Sequence, residues 1–98
     1  MENYALFVSL QAKPGKEREV EDFLRSGEQL ARQEAGTVRW YAFKTGPASF
    51  GIFDTFADES AREAHLNGEI AKALMAKAAE LLAEPPKIHQ IPILADKH

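Results

Sequence analysis

The chain has 98 residues, 45% of them hydrophobic and 28% charged, with no cysteine and a net charge of −3 at pH 7. This near-average composition indicates one globular domain, residues 1–98, and excludes collagen-like, low-complexity and disordered chains, and the missing cysteines exclude disulfides and thiol nucleophiles. The twelve Lys and Arg residues are scattered, so we expect no nucleic-acid partner, because such binders cluster positive charge.

The N-terminus also indicates a location. Residues 1–4 lack the basic start and apolar run of a signal peptide, and no stretch approaches the roughly 20 apolar residues of a membrane helix. We therefore expect a cytoplasmic protein without a membrane partner.

The first half of the chain predicts a strand, a helix and a hairpin. Residues 4–12 alternate apolar side chains on both faces of a strand. After a turn at residues 13–16, apolar residues recur at helical spacing from Val20 to Ala31, and Ala35 and Gly36 end this helix. Two aromatic-rich strands, residues 37–45 and 49–56, follow with a short connection typical of a hairpin.

The second half predicts a helix and a last strand. Asp58 is a candidate N-cap, and Ser60 with Glu63 offers a capping box two residues later. His65 and Met75 fall on one helix face, and a kink or break is expected near Gly68 because glycine disfavours helix. Two prolines stop the helix, and the final strand covers residues 87–95, where a proline at position 92 suits an edge or a bulge.

The βαββαβ order predicts an α+β, ferredoxin-like sandwich in which two helices cover one face of an antiparallel sheet. The strands nevertheless carry large apolar residues on both faces. Each one left in water would forgo about 1.5–3 kcal/mol. We therefore expect a homodimer closed sheet to sheet.

His65 is the first candidate for chemistry, because its ring points inward among small side chains. It is either a histidine bonded to a backbone carbonyl or carboxylate, or a catalytic acid, base or substrate anchor. His89 and His98 have weaker claims. The histidines and carboxylates lack metal-ligand spacing, so we expect no metal site.

The aromatic hairpin has three interpretations. It forms core, or a pocket for a flat aromatic ligand, or a base-stacking platform like that of RNA-recognition domains. The segment from Phe50 to Phe53 echoes the RNA-binding motif, but the leading basic residue is missing and Asp54 would repel phosphate. We reject the RNA interpretation.

Several segments together resemble a known family. They are Lys13-Pro14-Gly15-Lys16, Gly36-Thr37-x-x-Trp40-Tyr41-Ala42-Phe43, Phe50-Gly51-Ile52-Phe53-Asp54-Thr55-Phe56 and His65-Leu66-x-Gly68. Phe56, Asp58, Ala61 and His65 also keep the order aromatic-x-Asp-x-x-Ala-x-x-x-His. By these motifs the chain resembles the antibiotic biosynthesis monooxygenase family nearly from end to end.

The resemblance implies a homodimeric α+β barrel with a pocket between sheet and helices in each subunit. Characterised relatives oxidise quinols or polyketide phenols with O2 and no cofactor, since the deprotonated substrate supplies the electrons. It thus implies a cofactor-free monooxygenase acting on a quinol-like or phenolic molecule. His65 would be the base and Tyr41 a hydroxyl partner. The pocket walls would be Trp40, Phe53, Phe56, Leu74 and Met75.

Other functions of the same fold are weighed against this one. A haem-degrading branch uses an Asn, a Trp and a His at positions that here hold Val8, His65 and Met75, so haem degradation is not implied. Ile70 stands where many quinol-oxidising relatives carry a second histidine. The competing function is a non-catalytic dimeric domain that binds a small aromatic or apolar ligand, or only assembles.

Overall fold

The predicted βαββαβ order is confirmed, with the second helix in two pieces. A computed structural model describes residues 3–97; Met1, Glu2 and His98 lie outside the described residues. The elements are β1 (Tyr4–Gln11), α1 (Glu17–Arg32), β2 (Thr37–Lys44), β3 (Ser49–Phe56), α2 (Glu59–Leu66), α3 (Glu69–Leu81) and β4 (Lys87–Pro92). None of the helices in residues 3–97 combines the length and hydropathy needed to cross a membrane.

The four strands form an antiparallel sheet in the order β2-β3-β1-β4, so β1 and β3 are central and β2 and β4 are edges. Val8 lies opposite Ile52 and Leu10 opposite Phe50. Because side chains alternate along a strand, these four residues lie on one face of the sheet, and it is the face covered by the helices. They pack there with Leu24 of α1 and with the α3 residues Leu74 and Leu81. This is the predicted α+β ferredoxin-like arrangement.

The break in the second helix is confirmed at Asn67 and Gly68, which separate α2 from α3. The Asp58 side chain accepts a 2.8 Å hydrogen bond from the backbone N–H of Ala61, so Asp58 is the N-cap of α2, as predicted. The prediction that Met75 shares the buried face of His65 is wrong, because Met75 is 57% exposed. In α3 the buried stripe comprises Ile70, Leu74 and Leu81.

α1 and β4 end well before their predicted ends, and β1 and β2 each end one residue early. α1 ends at Arg32, because the N–H groups of Gln33 and Glu34 donate 3.1 Å bonds to Leu30 and Ala31 in a tighter turn. Glu34 therefore lies in the connection to β2 and not in the helix. β4 ends at Pro92, whose nitrogen cannot donate to the sheet ladder. Its position at the sheet edge agrees with the prediction for a strand containing proline.

The face of the sheet opposite the helices carries a row of stacked rings. The Phe7 ring lies 6.3 Å from the Phe43 ring and 6.0 Å from the His89 ring, measured between centroids. Phe43 leans over Gly51, where a Cβ atom would come within 2.5 Å of its ring. Glycine is therefore required beneath Phe43 for these rings to align. We call Phe7, Phe43 and His89 the aromatic row.

Candidate active site

His65 is the centre of a buried cluster of three ionisable side chains, which we call the His65 cluster: Glu34, Asp54 and His65. The Nδ1 atom of His65 lies 2.6 Å from Oε1 of Glu34, and Nε2 lies 2.9 Å from Oδ2 of Asp54. His65 is 8% exposed and Asp54 is fully buried. The expected inward orientation of His65 is thus confirmed. A carboxylate partner was one of the two interpretations, and the structure has two such partners.

Asp54 reaches His65 because of its phase in β3. Ile52, Asp54 and Phe56 are at alternate positions of β3, so their side chains lie on the helix-covered face. Asp54 thus places a carboxylate between two apolar side chains of the core. The Phe56 ring lies 5.1 Å from the imidazole and forms one wall of the cluster. The other wall comes from β2, where Trp40 is the register partner of Asp54.

Glu34 reaches His65 through a close approach of the α1–β2 connection to α2. At Gly36 a Cβ atom would lie 2.5 Å from the Cβ of Ala61, so only glycine fits between the connection and the helix. The Thr37 hydroxyl donates a 2.8 Å hydrogen bond to Oε1 of Glu34, the same oxygen that faces His65. The Glu34 side chain is 20% exposed, which makes it the most accessible member of the His65 cluster.

Burial and ion pairing act in opposite directions on this cluster. Burial by itself would lower the pKa of His65, but the contacts with Asp54 and Glu34 outweigh it, and the pKa of His65 is raised above 6.5. Burial raises the pKa of Asp54, and the contact with His65 offsets only part of that rise. Asp54 is fully buried, and its carboxylate contacts Nε2 of His65 at 2.9 Å. The Asp54 carboxylate is thus poorly solvated.

The two contacts of His65 require two protons. An ionised carboxylate and an unprotonated ring nitrogen both only accept hydrogen bonds, so each nitrogen–oxygen contact needs one proton between its atoms. Either His65 is an imidazolium between two carboxylates, or Asp54 holds the second proton and donates it to Nε2. In both cases Nδ1–H donates to Glu34. His65 is therefore occupied on both sides, and Glu34 remains an acceptor.

A groove of about 880 Å³ runs between α1 and the edge strand β2. One end is lined by Glu34 and Thr37, and the other by Glu21 and Lys44, whose charged atoms lie 3.7 Å apart. The Trp40 side chain lines the middle of the groove. By contrast, the space under α3 beside Leu74 holds only about 10 Å³. The concavity between sheet and helices therefore opens at the β2 edge.

The structure places six of the seven residues predicted for the site on one side of the sheet or the other. His65, Trp40, Phe56 and Leu74 lie on the helix side. Tyr41 and Phe53 are register partners on the opposite face, as strand alternation requires. Trp40 and Tyr41 border the groove, whereas His65 itself does not. Met75 is largely exposed on α3.

Sequence reasoning missed Asp54 and Glu34. A signal for Asp54 was available, because an acidic residue in the inward phase of an otherwise apolar strand requires a partner when buried. No comparable signal marks Glu34, since its proximity to His65 depends on the tight passage of Gly36. Among residues 3–97, no group of three or more acidic, histidine or cysteine side chains is arranged to hold a metal ion.

The fold and this site define a ferredoxin-like α+β domain with a buried imidazole–carboxylate cluster at one end of an open groove. The family model for antibiotic biosynthesis monooxygenase matches residues 3–77, which is more than half of the chain. The chain belongs to the antibiotic biosynthesis monooxygenase family, as its motifs indicate.

Solved structures agree with this assignment. A protein of unknown function from Nitrosomonas europaea is 56% identical, with a TM-score of 0.97, over 100% of this chain and 95% of that chain. A Pseudomonas aeruginosa protein is 26% identical, with a TM-score of 0.84 and 97% of each chain covered. A structure named antibiotic biosynthesis monooxygenase is 16% identical, with a TM-score of 0.81 over 94% of this chain and 99% of that chain, and it supports the fold alone. No curated protein matches the chain.

Proposed function

We propose that the protein is a cofactor-free monooxygenase that oxidises a quinol-like or phenolic molecule bound in the α1–β2 groove. The single observation that carries the proposal is the His65 cluster at one end of a groove lined by an indole ring. Phenol oxidation by O2 begins with loss of the hydroxyl proton, and a buried acid–base cluster assists that loss. Membership of a monooxygenase family supports the same chemistry.

The proposed reaction balances without a further reductant. A quinol and O2 give a hydroxylated quinone and water: one oxygen atom forms a bond to a ring carbon, and the other leaves as water. The ring supplies all four electrons, and the protons on its oxygens and reacting carbon are redistributed to the products. The protein binds the ring, assists removal of the hydroxyl proton and excludes water. We place this activity in the cytoplasm.

Oxygen uptake with menadiol tests the proposal. We expect O2 consumption with wild-type protein to exceed the autoxidation of menadiol. We expect His65→Gln to lower the protein-dependent part of the rate by about tenfold or more, because general acid–base assistance is worth roughly a hundredfold or more. The matched control is His89→Gln, which removes a histidine from the other face of the sheet, and sedimentation checks that this variant assembles as wild type does. Circular dichroism checks that both variants fold.

Three outcomes decide the test. A rate above autoxidation that falls with His65→Gln but not with His89→Gln supports the proposal. The same rate in all three proteins removes His65 from the mechanism. No protein-dependent rate across a panel of quinols would favour the non-catalytic ligand-binding domain. Tyr41→Phe, which keeps the ring, tests the predicted hydroxyl partner in the same assay.

We also propose that a second copy of the chain covers the aromatic row. The helices lie on the other side of the sheet, and on this face Tyr41 is 50% exposed and Phe43 is 36% exposed. Burying them would stabilise an assembly by about 25 cal/mol per Å² of apolar area. Sedimentation of Phe43→Asp is expected to show monomer where wild type shows dimer. Met75→Asp, an exposed helix position, is the matched control, and a monomeric wild type would refute the proposal.

A further inference from the structure

Glu34 is the member of the His65 cluster that lines the groove. His65 and Asp54 do not line the groove, whereas Glu34 and its hydrogen-bond partner Thr37 do. A molecule in the groove therefore reaches the cluster through the Glu34 carboxylate, with the imidazole behind it. This assigns different positions to the two residues: Glu34 lies at the surface of the site, and His65 supports it.

The two oxygens of Glu34 differ in what they contact. Oε1 accepts from both Nδ1 of His65 at 2.6 Å and the Thr37 hydroxyl at 2.8 Å. Oε2 lies at the break between α2 and α3, where it would be 3.0 Å from a Cβ atom at Gly68. Two donors on one oxygen fix the plane of the carboxylate and leave Oε2 as the oxygen available to accept another hydrogen bond.

The rest of the groove wall offers no equivalent acceptor, because its other carboxylates are paired. Glu28 accepts two hydrogen bonds from Arg32, at 2.7 and 2.9 Å. Glu21 faces Arg25 at 3.2 Å and Lys44 at 3.7 Å. Glu34 is paired with the buried imidazole of His65 through Oε1, and its second oxygen lies beside Gly68.

We infer that Glu34 determines ligand specificity by accepting a hydrogen bond from the hydroxyl of an aromatic ligand in the groove. This rests on the proposed function and deepens it, because it states what the ligand must carry: a hydrogen-bond donor on its ring. A ligand of the same shape without that donor leaves a partly buried carboxylate unpaired, which is the situation in which a site discriminates best. The step involves binding only, with no change of oxidation state.

The test compares the binding of 1-naphthol and 1-methoxynaphthalene by calorimetry under nitrogen. Wild type is expected to bind 1-naphthol about ten- to a hundredfold more tightly, the range for a hydrogen bond to a charged group. Glu34→Gln, which keeps the shape and a neutral acceptor, is expected to reduce that ratio to a few-fold, and Glu34→Ala to near one. Glu80→Gln, at an exposed position on α3 outside the groove, is the matched control and should keep the wild-type ratio.

The outcomes separate this inference from the oxidation itself. An equal affinity of wild type for the two probes, or an unchanged ratio in folded Glu34→Gln and Glu34→Ala, overturns the role of Glu34 whatever the oxygen-uptake result. A ratio that collapses in the Glu34 variants and persists in Glu80→Gln supports it even in a protein that does not oxidise menadiol. Thr37→Val, which releases Oε1 from its second donor, should lower the ratio by an intermediate factor.

Discussion

Removing His65 should destabilise the fold through the charge that it leaves behind. In His65→Ala the fully buried Asp54 carboxylate loses its nearest counter-charge and has no other hydrogen-bond partner among residues 3–97. Orphaning a buried ion costs about 3–5 kcal/mol. A domain of this size is stable by about 5–15 kcal/mol, so the variant approaches the limit of folding.

The contribution of charge is isolated by repeating the substitution in a second background. In Asp54→Asn the buried group is neutral, so His65→Ala should cost about 0.5–3 kcal/mol less there than in wild type, the range of coupling between contacting residues. Urea unfolding followed by circular dichroism at pH 7, at one protomer concentration, measures all four proteins. If His65→Ala costs the same in both backgrounds, Asp54 and His65 are not an energetic pair and the reasoning fails.

Three further predictions follow from particular contacts. The pKa of His65 is raised above 6.5 in the folded protein, so protonated His65 stabilises the fold fully below pH 6.5, and this effect is lost as the pH rises through the pKa of the folded state. The difference in unfolding free energy between wild type and His65→Gln should therefore shrink with rising pH. A difference that stays constant would contradict this. Gly51→Ala should displace the Phe43 ring and cost about 1–3 kcal/mol by overpacking, and it should weaken the proposed dimer in sedimentation; unchanged self-association and stability would show that the ring moves freely. Asp58→Ala should cost about 1 kcal/mol in thermal unfolding through loss of the bond from Ala61, whereas Asp58→Ser should retain most of it.

The order of elements was predictable because each carries its own local signal. Alternation defined the strands, Asp58 marked the start of α2, and Gly68 marked the break. These signals act within a few residues, so no knowledge of the tertiary fold was needed. Boundaries were less predictable where a backbone hydrogen bond decided them, as at the end of α1, which closes in a tight turn before Ala35.

The site was predictable only in part, because its members come from three separate segments. The inward orientation of His65 followed from helical phase, but the Glu34 contact joins residues 31 positions apart. Strand alternation also predicts that Trp40 and Tyr41 point to opposite faces of the sheet, so the two side chains cannot both line a pocket between the sheet and the helices. The register confirms that separation.

The early end of α1 connects the fold to the chemistry. Had the helix continued to Ala35, residue 36 could not have packed against Ala61 as it does, since that contact is made from a turn by a residue without a Cβ. Glu34 would then have remained on the helix, away from Nδ1 of His65. Family membership accounts for the sheet and the helices, whereas the chemistry proposed for the groove depends on two acids, each placed by a feature of its own segment. Exchanging those acids for neutral residues should therefore change ligand selectivity and stability while leaving the element order intact.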